Sequence, residues 1–148
     1  MKILKILLVV LIVLVLAVAV YIKFFRLKEL PIYTENGIIS YRVEIAKTDE
    51  QQQKGLMYRN KLAPQTGMIF LFNPIRIAYM WMKNTFIPLD MIFFDRFGRI
   101  VAIHKHANPQ DETIISSKIP VAGVLEINAD ETDNNQIRVG DRLILNNF

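Results

Sequence analysis

Hydrophobic and polar positions divide the chain into two regimes. Residues 6–22 form a run of 17 without charge, Gly or Pro, flanked by Lys5 and Lys23. As a helix rising about 1.5 Å per residue, the run approaches the roughly 30 Å of bilayer hydrocarbon once the flanking lysines snorkel. It is apolar on every side, which predicts lipid around it rather than a protein core. Ala17-Val18-Ala19 has the form of a signal-peptide cleavage site. The apolar run continues past it, however, and ends in Lys23-Phe24-Phe25-Arg26, which favours an uncleaved anchor. Residues 1–25 are therefore read as a signal anchor or signal peptide. Residues 26–37, with Pro31 and the turn pair Asn36-Gly37, read as a linker, and residues 38–148 as one β domain. The short leading tail predicts an N-terminus inside and a domain on the periplasmic side. Cleavage near Ala19 would release that domain into the periplasm.

Beyond residue 38 the period changes to two. Ile39, Tyr41, Val43 and Ile45 alternate with Arg42 and Glu44, the pattern of a half-buried strand. Thr48 to Gln51 predicts a capping box opening a short helix, with Gly55 as its stop. Residues 68–72, 99–106, 121–128 and 143–145 read as further strands. Asn73-Pro74, the loop around Gly98, and Asn108-Pro109 punctuate them, and residues 130–136 offer one helical turn. Seven or eight short strands with one or two short helices predict a compact, mainly β fold, a sandwich or barrel, behind a transmembrane helix.

Residues 78–95 are the densest part of the pattern. Two apolar runs flank Lys83-Asn84-Thr85, and Pro88 forces a ladder to stop and restart. Residues 89–94 are apolar on both alternating faces, which predicts a strand buried on both sides, yet they hold Asp90. A carboxylate there needs a cation or several donors. Lys83, across the Pro88 corner, and Arg59 are the expected cations. Asn84 and Thr85 are expected to satisfy backbone groups at the corner or to meet a ligand. Tyr79, Trp81 and Lys83 share one face if alternation holds. An aromatic pair ending in a cation could stack a sugar or other ring, although core packing is the plainer expectation. His104 and His106 lack companions for a metal set, so no metal or other cofactor is expected. Glu126, between Leu125 and Ile127, resembles Asp90 in kind and could pair with an Arg or face solvent.

Charge narrows the partners. Four of the 18 basic residues, Lys2, Lys5, Lys23 and Arg26, lie at the N-terminal segment, leaving 14 against 14 acidic residues over 27–148. A domain of zero net charge without a basic cluster argues against nucleic acid. The absence of cysteine excludes disulfides and thiol catalysis.

Gly55-Leu-Met-Tyr-Arg59, Gly67-Met68, Trp81-Met-Lys-Asn-Thr85, Pro88-Leu-Asp90, Gly98-Arg-Ile100 and Val124-Leu-Glu126 stand in an order that resembles the DUF192 family, over about residues 38–146. The resemblance implies a compact β fold of sandwich or barrel type and agrees with an N-terminal signal or anchor. It implies no activity. The chain departs from the family pattern at Gln110-Asp111 and at Asp130.

The expected function is a membrane-anchored, extracytoplasmic binding or accessory module for a small polar ligand or an envelope protein. The candidate ligand-binding residues are Arg59, Tyr79, Trp81, Lys83, Asn84, Thr85 and Asp90. One alternative is a hydrolase or lyase using Asp90 with Lys83 or Arg59. Another is a structural partner in a membrane complex.

Overall fold

The computed structural model describes residues 2–25, 27–146 and 148, and the side chains of these except residues 3, 4 and 17–25. Helix α1 spans Lys2–Phe25. The side chains of residues 6–16 are exposed, and 11 residues rise only about 16 Å. Among the described residues no helix is long and apolar enough to cross a membrane. The expected span over residues 6–22 falls partly on side chains outside the described residues.

The residues expected as a linker form a strand instead. β1, Lys28–Thr34, pairs antiparallel with β2, Gly37–Ala46, through the Asn36-Gly37 turn. Pro31 and the charges of Lys28 and Glu29 masked a strand whose Leu30 and Ile32 are fully buried. A crossover containing α2, Asp49–Lys54, then leads to β3, Thr66–Met80, which runs parallel to β2. The capping box is present: the Gln51 backbone donates to Thr48 Oγ1 (3.2 Å), and Gln51 Oε1 accepts from the Thr48 backbone (3.1 Å). Asn73-Pro74 does not end β3 as expected. The strand passes through it with a shift of register and continues to Met80. Residues 81–88 are irregular. β4, Leu89–Phe94, β5, Ile100–Ala107, and β6, Ile115–Asn128, follow, and β6 begins six residues before the strand expected over 121–128. α3, Glu131–Asn134, and β7, Arg142–Leu143, complete the elements.

The strands make one sheet in the order β5-β4-β6-β3-β2-β1-β7, not two packed layers. Its edges approach each other. β7 pairs with β1, while Arg142 bridges to Arg99, the Ile100 backbone donates to Asp141 O (2.8 Å), and Leu143 donates to Gly98 O (2.8 Å). Gly98 makes this possible: at φ +76, a Cβ there would lie 2.1 Å from Leu143 O. Of the two expected architectures, the sheet therefore follows the barrel.

Every strand contributes to the inner core, which includes Ile32, Val43, Ile69, Ile92, Phe94, Ile100, Leu125, Ile127 and Leu143. A second core lies on the outer face of the central strands. Met68, Phe70, Met91, Phe93 and Val124 pack there under Leu56, Met82 and Ile87. All six residues of β4 are consequently buried, as the doubly apolar pattern predicts.

Candidate functional site

The parity of β4 and β6 decides which carboxylate meets which cation. Met91 pairs with Glu126 across the β4–β6 ladder, so the two share the outer face. Asp90, one residue before Met91, points with Ile92 and Phe94 into the barrel. There it is fully buried and accepts three hydrogen bonds: from the Thr132 backbone (3.1 Å), from Thr132 Oγ1 (2.6 Å) and from the His106 backbone (3.0 Å). Among the described residues, its hydrogen-bond partners include no lysine or arginine. The expected pairing with Lys83 or Arg59 is thus corrected. Lys83 lies 3.6 Å from Glu112, and Arg59 makes a two-pronged pair with Glu44 at 2.6 and 2.8 Å. Asp90 ties α3 and the end of β5 to the barrel rim. In the same interior, burial first and the nearby Glu131 carboxylate second push the Tyr41 hydroxyl far above its ordinary range.

Asn84 and Thr85 take part in the hydrogen bonds of the corner. Asn84, at φ +53, donates from Nδ2 to Tyr58 Oη (3.0 Å), while the Tyr58 backbone donates to Asn84 O (2.8 Å). The Thr85 hydroxyl donates to Lys83 O (3.3 Å). These bonds lock the loop after α2 against residues 81–88.

Tyr79 and Trp81 do not pack in the core. They are 67 % and 45 % exposed, and Lys83 Nζ stands 5.7 Å from the Trp81 ring centre. Both rings border an open groove of about 730 Å³ between α2 and β3, whose other walls include Phe70, Phe72, Gln52 and Arg76. The groove is built rather than incidental. Gln52 donates to Leu71 O (2.9 Å) and accepts from Arg76 (2.7 Å), and Arg76 lies 4.5 Å from the Phe72 ring centre.

A recess of about 60 Å³ shares six of its lining residues with the groove, Trp81 and Tyr79 among them, and reaches Gly55, Leu56, Thr85 and Glu126. Gly55 keeps it open: at φ +46, a Cβ there would press on the Phe70 ring at 3.2 Å. Glu126 is 4 % exposed, and no hydrogen bond to its carboxyl group is present among the described residues. Burial pushes it from 4.5 up to about 8, with the Arg59 charge opposing the rise. It is therefore mainly an undissociated acid at neutral pH, able to donate as well as accept a hydrogen bond. A perturbed acid that lines a recess opening to a groove makes Glu126 a candidate for the site. The sequence noted Glu126 but placed it outside the candidate set, and it gave no sign of Gln52 or Arg76. The lone carboxylate in Val124-Leu-Glu-Ile127 was the available signal.

His104 and His106 are exposed on β5, and His106 Nε2 lies 2.9 Å from Asp130. Among the described residues no group of three or more metal-ligating side chains is assembled.

The DUF192 family model, described as an uncharacterized ACR, matches residues 32–145. A crystal structure from Sinorhizobium meliloti 1021, described as a candidate transcription regulator, is 43 % identical. It aligns over 80 % of this chain and 92 % of its own, with a TM-score of 0.78. A protein of unknown function from Novosphingobium aromaticivorans DSM 12444 is 39 % identical, over 80 % of this chain and 84 % of its own, again with a TM-score of 0.78. No curated protein matches the chain.

Proposed function

The chain belongs to the DUF192 family, and from that premise we propose that it is a binding module whose groove receives a small polar ligand with a ring face. The observation that carries this reading is the exposure of Tyr79 and Trp81 beside Lys83 on the wall of a 730 Å³ groove. Large aromatic rings left half in water on a braced wall supply stacking area at low entropic cost, Arg76 adds a cation to the lining, and Lys83 stands beside the Trp81 ring. The concavity has the size of small-molecule sites, which supports a small ligand over an envelope-protein partner. The uncharged run of residues 6–22 supports an anchor that holds the module outside the cytoplasm.

Nucleic acid is not the proposed ligand. The description of the Sinorhizobium meliloti relative is not carried over, because residues 27–148 hold equal numbers of acidic and basic residues. One observation favours a second reading: Glu126 is a buried acid poised near neutrality, as a hydrolase or lyase would need for proton transfer.

Trp81, the only tryptophan, reports on the groove directly. Titrating the chain with neutral oligosaccharides and with simple aryl glycosides should change its emission saturably, and Tyr79→Ala should weaken the response. An emission that none of these ring compounds moves refutes the groove reading. Release of the aryl group, abolished in Glu126→Gln, would move the assignment to the enzyme.

A further inference from the structure

We propose that the recess beneath Trp81 is the specificity pocket of the groove, in which a hydroxyl or carboxamide group of a saccharide ligand pairs with the Glu126 carboxyl group. This rests on the groove reading above and adds the chemical class of the ligand. Three observations converge on it.

The first is continuity. The recess and the groove share Gln52, Gln53, Phe70, Tyr79, Met80 and Trp81, so a ring stacked on Trp81 or Tyr79 lies at the mouth of the recess. The second is size. About 60 Å³ equals the share of roughly two water molecules in the liquid, enough for a hydroxymethyl or carboxamide substituent and too little for a ring. The third is polarity. Leu56, Met57, Phe70 and Met80 supply the apolar part of the lining and Gln52, Gln53, Lys54 and Thr85 a polar part, and the buried Glu126 joins them with no hydrogen bond to its carboxyl group among the described residues. A ligand group that enters the recess can pair with this carboxyl group, and a site built to pair with a hydroxyl or amide discriminates against ligands that lack one.

The charges around the recess favour an uncharged group. From the loop after α2 comes Arg59, whose guanidinium is held by Glu44 of β2. From α2 comes Lys54, exposed at the edge, and from β3 comes the Tyr79 phenol. Arg59 and Glu44 neutralise each other, and Glu126 at about 8 carries little charge at neutral pH. A ligand ammonium would lose its water against a mainly undissociated Glu126, and a ligand carboxylate could reach the charge of Lys54 only at the exposed edge. An undissociated acid offers one donor and one acceptor, and a hydroxyl or carboxamide answers both.

The full chain in detergent micelles can be titrated with chitotriose and cellotriose, following Trp81 emission between pH 5.5 and 9.5. One or both should bind with affinity level below about pH 8, falling above it towards tenfold per pH unit as Glu126 ionises. Glu126→Gln keeps a donor and an acceptor, so it should flatten the profile while holding low-pH affinity within about threefold. Glu126→Leu should lose more than about tenfold, as expected when a hydrogen-bonded substituent faces an apolar wall. Saccharide binding with a flat pH profile and normal affinity in Glu126→Leu overturns the pocket but leaves the groove reading intact. Affinity that rises above pH 8, or tighter binding of glucosamine trimers than of chitotriose, overturns the uncharged-group assignment in favour of a cation. Aryl glycosides that move Trp81 emission while both trisaccharides do not overturn the saccharide class alone. No response to any ring compound removes the groove reading and this inference together.

Discussion

Glu126→Gln should make the domain more stable at neutral and alkaline pH, although it alters a residue buried at the centre of the sheet. In the folded chain the carboxyl group holds its proton to about pH 8, whereas the unfolded chain releases it near 4.5. Below 4.5 both states are protonated and burial carries no ionisation penalty. Between 4.5 and about 8 the unfolded state is ionised and the folded state is not. The folded state then binds one more proton, so stability falls as pH rises, by about 1.4 kcal/mol per pH unit. Across the window from 4.5 to about 8 that amounts to about 5 kcal/mol, a large share of the 5–15 kcal/mol typical of a domain. Above pH 8 both states are ionised and the loss is complete. Glutamine has nearly the same shape and does not titrate, so the variant escapes this loss. Urea denaturation of both proteins at half-unit steps from pH 4 to pH 9 gives the difference in unfolding free energy. That difference should move in favour of glutamine by about 3–6 kcal/mol and level off near pH 8. A difference constant to within about 0.5 kcal/mol would refute the raised acid and, with it, the physical basis of the recess.

Three further outcomes follow from the same geometry. Asp90→Ala strands the Thr132 backbone and hydroxyl and the His106 backbone inside the barrel rim, and should cost about 3–5 kcal/mol in chemical denaturation; a loss under about 1 kcal/mol would contradict its bracing role. Arg59→Ala removes a partly exposed pair worth about 1 kcal/mol, and it should raise the Glu126 titration midpoint further, followed by carboxyl carbon NMR, because Arg59 opposes the rise; an unmoved midpoint would place that charge elsewhere. A reporter active only in the periplasm, fused after Phe148, should be active, and activity of a cytosolic reporter there instead would reverse the proposed topology.

The parts legible in sequence were those fixed by local rules. Thr48 and Gln51 announced α2 because a capping box is complete within four residues. Residues 89–94 announced a strand buried on both faces because six apolar-rich positions leave no solvent side. What the sequence did not yield depended on partners far along the chain. Nothing local tells that Asp90 faces Thr132, 42 residues away, while Glu126 faces Arg59's side of the sheet. A single step of parity along β4 separates those outcomes, and parity relative to another strand is a property of register. Tyr79 and Trp81 were expected in the core because aromatics usually lie there. Tyr79 lies within β3 on the face opposite the buried Ala78, whereas β3 ends at Met80 and the chain leaves the ladder, so alternation no longer applies to Trp81 or Lys83. β1 was hidden by Pro31, which sits in a strand whose other edge is covered only by two residues of β7.

That short closing pair has a consequence for how the molecule is made. Ile32 and Leu143, which meet in the β1–β7 ladder, are separated by more than a hundred residues of chain. During synthesis β1 and β2 can zip together as soon as they emerge. The far edge of β1, with Leu30 and Ile32 behind it, then waits until Arg142 and Leu143 arrive. An unpaired strand edge over an uncovered apolar surface is the species most prone to pair with a neighbouring chain. Nascent molecules stalled or truncated before residue 142 should therefore be the ones that aggregate or are degraded. A handful of residues around Gly98 and Leu143 would set the yield of the protein far more strongly than their small area suggests.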